Sequence, residues 1–186
     1  MAKRPPACRA HDLSNNGQTW ELIRVSSPEV DWSKGLWFKF ATPKFSFIAW
    51  SAAHNRLTAN ATCILCNSSI ERDHLFFQCS YTELIWVNLT RNLLQHNYSN
   101  EWSLSLQRLT DSSLDGTKQF LVRLVFQASV YMIWRERNGR RHGQPSHEPT
   151  LMIAYIDKHI RNRIDSVRGR IKAKYTHAMR IWFASR

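Results

Sequence analysis

The feature that most constrains this chain is a cluster of three cysteines and one histidine within residues 63–79. Cys63, Cys66, His74 and Cys79 have the spacing CX2CX7HX4C. A Cys-X-X-Cys turn directs two thiolates at one ion, and a nearby His and Cys complete a tetrahedron. Four protein ligands leave no open coordination position, and three sulfurs with one imidazole favour zinc over hard cations. We therefore predict a structural Zn²⁺ site that stabilises the local fold and does not activate water.

Cysteines at this spacing can also be redox-active or simply buried. A redox-active Cys-X-X-Cys opens a helix after a strand in a thioredoxin-like frame, and the sequence has no such frame. Ordinary buried thiols would not need to cluster, yet three of the four cysteines fall in this one segment. The start of the chain has no apolar stretch typical of a secretory signal, and no run of 18 apolar residues occurs. We therefore expect reduced thiols in a protein that is intracellular, not secreted and not membrane-spanning, with the nucleus as a candidate compartment.

Elsewhere the apolar residues recur at helical spacing, and 43% of the chain is hydrophobic, which suffices for a core. The pattern predicts a helix from Pro43 to about Leu57, and a second over residues 84–94 capped by Thr82. A weak helix is expected over residues 104–109, and the longest one from Phe120 to an ending at Asn138–Gly139.

The predicted fold class is mainly α: a small zinc-stapled helical domain followed by a long basic amphipathic C-terminal helix. We expect a flexible tail at 1–19, the zinc domain at 20–98, a helical extension at 99–142, and a linker with the basic helix at 143–186.

The net charge of +12 is concentrated at one end of the chain. Residues 1–117 hold 11 Lys/Arg and 10 Asp/Glu, a balance of +1, whereas residues 118–186 hold 15 and 4, a balance of +11. Such asymmetry favours a polyanionic partner, so we expect RNA or DNA to bind this region. The candidate nucleic-acid contacts are Arg135, Arg137, Arg140, Arg141, Lys158, Arg161, Arg163, Arg168, Arg170, Lys172 and Lys174. The alternative is a protein-interaction module, in which the apolar stripe from Ile153 to Ile171 docks on another protein or on a second copy.

Several motifs around the cluster carry a family resemblance. They are Pro43-Lys-Phe-Ser-Phe-Ile-Ala-Trp50, Ala52-Ala-His-Asn-Arg-Leu-Thr58, Cys63-Ile-Leu-Cys66 and Asp73-His-Leu-Phe-Phe-Gln-Cys79, with Trp37 and Trp86. Together they resemble the reverse transcriptase zinc-binding domain of plant non-LTR (LINE-type) retroelements over about residues 30–90. The later Ile133-Trp-Arg-Glu-Arg-Asn138 resembles a segment that often ends such polyproteins.

The resemblance implies zinc ligation by the CCHC set and a position downstream of a reverse transcriptase. It does not imply catalysis, because the chain has no paired-aspartate polymerase signature and no endonuclease-like constellation. We therefore expect a non-enzymatic, retroelement-derived module that binds zinc and nucleic acid. The family usually has a longer segment before the first cysteine, where this chain has only residues 59–62, so a decayed element without a present role is a further alternative.

Overall fold

The computed structural model describes residues 30–57, 62–68, 72–167 and 177–186. The predicted tail at 1–19 lies outside these residues, as do Arg168, Arg170, Lys172 and Lys174. Residues 31–186 form one compact unit. The domain boundaries drawn from the sequence within this unit stay predictions.

The described part of the chain is built from helices. They are α1 (Ser33–Leu36), α2 (Pro43–Ala53), a π-helical turn (His74–Gln78), α3 (Ser80–Leu94), a 3-10 turn (Gln95–Asn97), α4 (Trp102–Gln107), α5 (Gly116–Arg141), α6 (Pro149–Val167) and α7 (Ala178–Ala184). This confirms the mainly helical fold class. Of the helices described, none combines the length and apolarity that a bilayer span requires.

Helix α5 lies at the centre of the core. Its 26 residues make it about 39 Å long at 1.5 Å per residue. Asp115 caps its start, because its carboxylate accepts hydrogen bonds from the backbone N–H groups of Thr117 and Lys118 at 2.9 and 3.1 Å. Helices α2, α3, α6 and α7 all pack against α5, so that Phe126 and Ile133 are completely buried.

The predicted end of α5 at Asn138–Gly139 is wrong. The helix continues to Arg141 and ends in a Schellman motif, in which Gln144 N–H donates to the Gly139 carbonyl at 2.9 Å and Gly143 N–H to the Arg140 carbonyl at 3.1 Å. Gly143 has a φ of +73°, the left-handed conformation that such an ending requires and that glycine adopts without strain. The terminating glycine is thus Gly143.

Other helix boundaries also differ from the prediction: α4 covers Trp102–Gln107 and not 104–109, and α5 begins at Gly116 and not at Phe120. Helix α2 ends at Ala53, because the chain turns at Asn55, which has a φ of +55°. Helix α3 begins at Ser80, one residue after Cys79, so Thr82 lies inside the helix and does not cap it. The Thr82 hydroxyl donates instead to the Cys79 carbonyl at 3.3 Å.

Helix α6 turns its isoleucine stripe inward. Ile156 and Ile160 are 0% exposed and Ile164 is 4% exposed, because α6 packs against α3 and α5. These three isoleucines are therefore covered by this chain's own helices, whereas Ile153 is partly exposed and Ile171 lies outside the described residues. Helix α7 is joined to α6 by a 2.7 Å hydrogen bond from Trp182 Nε1 to Asp157 Oδ1.

Candidate metal centre and basic surface

The first two cysteines lie on a tight loop. Cys63 N–H donates to the Ser68 carbonyl at 2.7 Å, and Asn67 N–H donates to the Cys63 carbonyl at 2.6 Å. Asn67 has a φ of +64°, a left-handed conformation that Asn tolerates better than most residues. The loop thus turns back on itself immediately after Cys66, which keeps both thiols at the same site.

The other two ligands flank the π-helical turn. Cys79 N–H donates to the His74 carbonyl at 2.7 Å, which is the i→i+5 bond of a π turn. Between them Phe76 and Phe77 are completely buried, and the Phe77 ring lies 4.3 Å from the Trp86 ring by centroids. The turn is thereby anchored in the core while His74 and Cys79 remain at its two ends.

These elements bring the four predicted ligands together. The sulfur atoms of Cys63, Cys66 and Cys79 and a ring nitrogen of His74 all lie within 4.8 Å of one another. Cys66 Sγ is 3.2 Å from His74 Nε2, and Cys63 Sγ is 4.0 Å from Cys79 Sγ. A tetrahedral zinc with bonds of about 2.0–2.3 Å has ligand–ligand edges of roughly 3.3–3.8 Å. The separations of 3.2 and 4.0 Å lie just beyond the two ends of this range, and none exceeds it by more than about 1 Å, so small side-chain shifts complete the tetrahedron.

The electrostatics of the thiols also call for a cation. Burial raises the pKa of Cys79 to about 12, and the neighbouring Cys63 adds to the rise. Burial opposes ionisation of Cys66 as well, but hydrogen bonds from Ser68 outweigh it and lower the pKa of Cys66 to about 6. Crowded thiols of this kind ionise together only when a positive ion compensates their charge. The donor set and its chemistry therefore support structural zinc.

Arg137 is buried and does not belong to the outer surface. It is 3% exposed, and its Nη1 donates to the Leu57 carbonyl at 2.7 Å. Its Nη2 is buried without a hydrogen-bond partner among the described residues. Burial and Arg141 lower the pKa of Arg137, whereas Cys63 raises it, which places the Cys63 thiol in the field of the guanidinium. We therefore remove Arg137 from the candidate nucleic-acid contacts.

Two basic residues of α6 are also engaged inside the molecule. Arg161 Nε forms a 2.9 Å ion pair with Asp157 Oδ2 on the same helix. Arg163 donates to the backbone carbonyls of residues 40 and 41 at 2.9 and 3.1 Å, which ties α6 to the segment before α2. Each guanidinium therefore has a partner within the chain, and the Arg161 side chain is at the same time 40% exposed.

Arg140 is likewise engaged, in a buried cluster centred on Glu136. The Glu136 carboxylate accepts from Arg140 Nε at 2.8 Å, from His147 N–H at 2.8 Å, and pairs with His147 Nδ1 at 2.7 Å. Tyr81 on α3 donates its hydroxyl to the His147 carbonyl at 2.7 Å. Burial opposes ionisation of Glu136, but the N–H of His147 and Arg140 outweigh it, so the pKa of Glu136 is lowered.

The predicted contacts that are exposed are Arg135, Arg141 and Lys158. Sequence reasoning missed a further exposed cation, Lys44 at the start of α2, whose Nζ lies 5.1 Å from the centroid of the Tyr131 ring on α5. Burial lowers the pKa of His159 on α6, and Arg163 and Lys44 lower it further, so both cations lie close to this ring. No signal in the sequence links Lys44 with α6, because only the folded chain brings residues 44 and 159 together.

Comparison with known families agrees with the geometry of the metal centre. Residues 15–86 match the family model described as zinc-binding in reverse transcriptase. Neither the curated proteins nor the solved structures with which the chain was compared include a match. The matched stretch contains all four candidate ligands, and the family it represents is a zinc-binding domain and not a catalytic one. Over residues 15–86 the chain is thus similar to a reverse transcriptase zinc-binding domain.

Proposed function

We propose that this protein is a non-catalytic zinc module, derived from a plant LINE-type retroelement, that binds nucleic acid through a basic surface. We define this basic surface as Lys44, Arg135, Arg141 and Lys158. In this proposal zinc holds the loop and the π turn together, while the cations attract phosphates without reading sequence.

The observation that carries the proposal is the placement of charge. The balance of +11 in residues 118–186 could have been taken up by internal ion pairs, as it is for Arg140 and Arg161. Arg135 and Lys158, in contrast, are exposed and have no ion-pair partner among the described residues. Cations on two different helices are thus left available to a polyanion.

Fluorescence anisotropy with labelled RNA and DNA strands, over about 50 to 200 mM salt, tests the proposal. Wild-type protein should bind, and log Kobs should fall linearly with log salt. Arg135→Gln combined with Lys158→Gln should weaken binding and reduce the slope by about 1.4–1.8, which is two contacts at about 0.7–0.9 each.

Arg91→Gln provides the matched control. Arg91 is exposed on α3, in the nearly neutral part of the chain, so this change should leave the slope unaltered. Failure of wild-type protein to bind at low salt, or an affinity that does not change with salt concentration, would contradict the proposal.

A further inference from the structure

A cleft of about 310 Å³ lies beside the basic surface. It is formed by the C-terminal half of α5, the linker 143–148 and α6. Sites for small molecules occupy about 300–1,000 Å³, so this cleft is at the small end of that range. Its size suits one flat ring system with its attached sugar.

The lining of the cleft combines apolar and aromatic side chains. Met132 and Met152 contribute apolar surface from α5 and α6. Tyr155 is 44% exposed, and the His147 ring meets its edge at 5.9 Å between centroids, with 74° between the ring planes. The Tyr155 ring is therefore supported from one side while part of its surface remains open to a ligand.

Charges are arranged unevenly around the same cleft. Arg135 from α5 and Lys158 from α6 both line it and are exposed. Glu136 also lines it, but its carboxylate is only 4% exposed and is already held by Arg140 and His147. An ionised carboxylate has no hydrogen-bond donor to offer a phosphate in the interior, whereas the two exposed cations attract a phosphate outside. An anionic ligand is thus expected to place its neutral ring inside and its phosphates at the cations.

We propose that the cleft takes one unstacked nucleotide of a single-stranded nucleic acid, with its base against Tyr155 and its flanking phosphates at Arg135 and Lys158. This inference rests on the proposed nucleic-acid binding and adds a site to it. A base in a duplex is paired and stacked on both sides, so it cannot enter, and the cleft selects single strands.

The test uses two labelled DNA probes of equal length and equal phosphate number, an oligothymidine and an oligomer of abasic sites. Because base–aromatic stacking is lost in the abasic probe, wild-type protein should bind oligothymidine about 5- to 150-fold more tightly. Tyr155→Ala should bring this ratio close to one, whereas Tyr155→Phe should retain it, since stacking needs the ring and not the hydroxyl. Phe183→Ala is the matched control, because Phe183 is 55% exposed on α7 and does not line the cleft.

The outcomes separate the two proposals. Equal, salt-dependent affinity of wild-type protein for both probes would overturn the nucleotide site and leave phosphate binding intact. The site would also be overturned if duplex DNA bound as tightly as oligothymidine. The same holds if poly-glutamate displaced labelled oligothymidine as well as an unlabelled oligothymidine of equal charge does. Absence of binding to either probe at low salt would overturn the proposed function and the site with it.

Discussion

Each zinc ligand is positioned by the backbone of its own short segment. Cys63 and Cys66 belong to the loop closed by Asn67, and His74 and Cys79 belong to one π turn. Because these contacts are local, the residue types and spacing were enough to predict the site from the sequence.

Cys79→Ser should abolish zinc retention, because an alcohol does not replace a thiolate as a soft ligand. The variant should also unfold more easily, since zinc binding supplies folding free energy to such domains. Metal analysis of purified protein, with a urea titration, measures both effects. Cys8→Ser is the control and should keep its zinc, because Cys8 lies outside the CX2CX7HX4C motif. Unchanged zinc content in the Cys79 variant would contradict the assignment.

Arg137 should matter for metal affinity, although it is not a ligand. Zn²⁺ with three thiolates carries a net charge of −1, and the buried guanidinium offsets it. Arg137→Met should therefore weaken zinc binding about 10- to 100-fold, the usual loss on removing a group that supports metal ligands. Competition with a chelator measures this.

Arg137→Lys should recover part of the zinc affinity because it keeps the charge, and Arg135→Met, on the exposed side of the same helix, should have no effect. A Met variant with lower stability but unchanged zinc affinity would limit Arg137 to a packing role.

The sequence could not have singled out Arg137 as a buried residue. Its hydrogen-bond acceptor, Leu57, lies 80 positions earlier in the chain. Arg135 and Arg137 look equivalent as basic residues in one helix, and only the packing of α5 against other segments makes one exposed and the other buried.

At the scale of elements, apolar periodicity located the main helices correctly, but several of their ends were missed. The ends depend on the π turn before α3 and the Schellman motif after α5, neither of which has an apolar periodicity. The short helix α1 was also beyond reach, because its four residues are fixed by contact with the turn after α4. A Cβ on Gly35 of α1 would lie 2.4 Å from the Leu109 Cβ.

Gly35→Ala should destabilise the protein by about 1–3 kcal/mol, since the Leu109 side chain and backbone would have to move. Urea-induced unfolding of the zinc-loaded protein measures the change. Gly139→Ala is the matched control: its Cβ would lie 2.8 Å from Oε1 of Gln144 and 3.6–3.7 Å from Cβ and Cδ of the same side chain, and the exposed end of this side chain can move aside. Because Ala favours helix over Gly, the control should be neutral or more stable by up to about 1 kcal/mol. Equal losses in both variants would refute the close contact at α1.

At the scale of the whole molecule, the Glu136 cluster joins parts that lie far apart in sequence. Tyr81 comes from α3, Glu136 and Arg140 from α5, and His147 from the linker before α6. The cluster therefore holds the linker, and with it the start of α6, against the core.

Glu136→Gln should lower the free energy of unfolding at neutral pH, because the amide cannot replace a carboxylate that accepts three hydrogen bonds. The pKa of Glu136 is below its ordinary value of 4.5 in the folded protein. Its contribution is therefore complete above that value and is lost as the pH falls through the lower folded pKa.

Urea titrations at a series of pH values should thus show wild type and variant converging in acid. Glu101→Gln is the control, because Glu101 is exposed, and its free energy of unfolding should equal that of wild type at every pH. A wild-type advantage that persists undiminished in strong acid would show that the carboxylate charge is not its source.

The burial of the isoleucine stripe has a consequence for synthesis on the ribosome. The surface of α3 that receives α6 is complete once residue 94 has been made, but the helix that covers it is formed by residues 149–167. The Arg186 side chain, which donates to the Leu89 carbonyl of α3, is made later still. An emerging chain therefore carries an uncovered apolar face until these later residues leave the exit tunnel, the period in which nascent proteins depend most on chaperones.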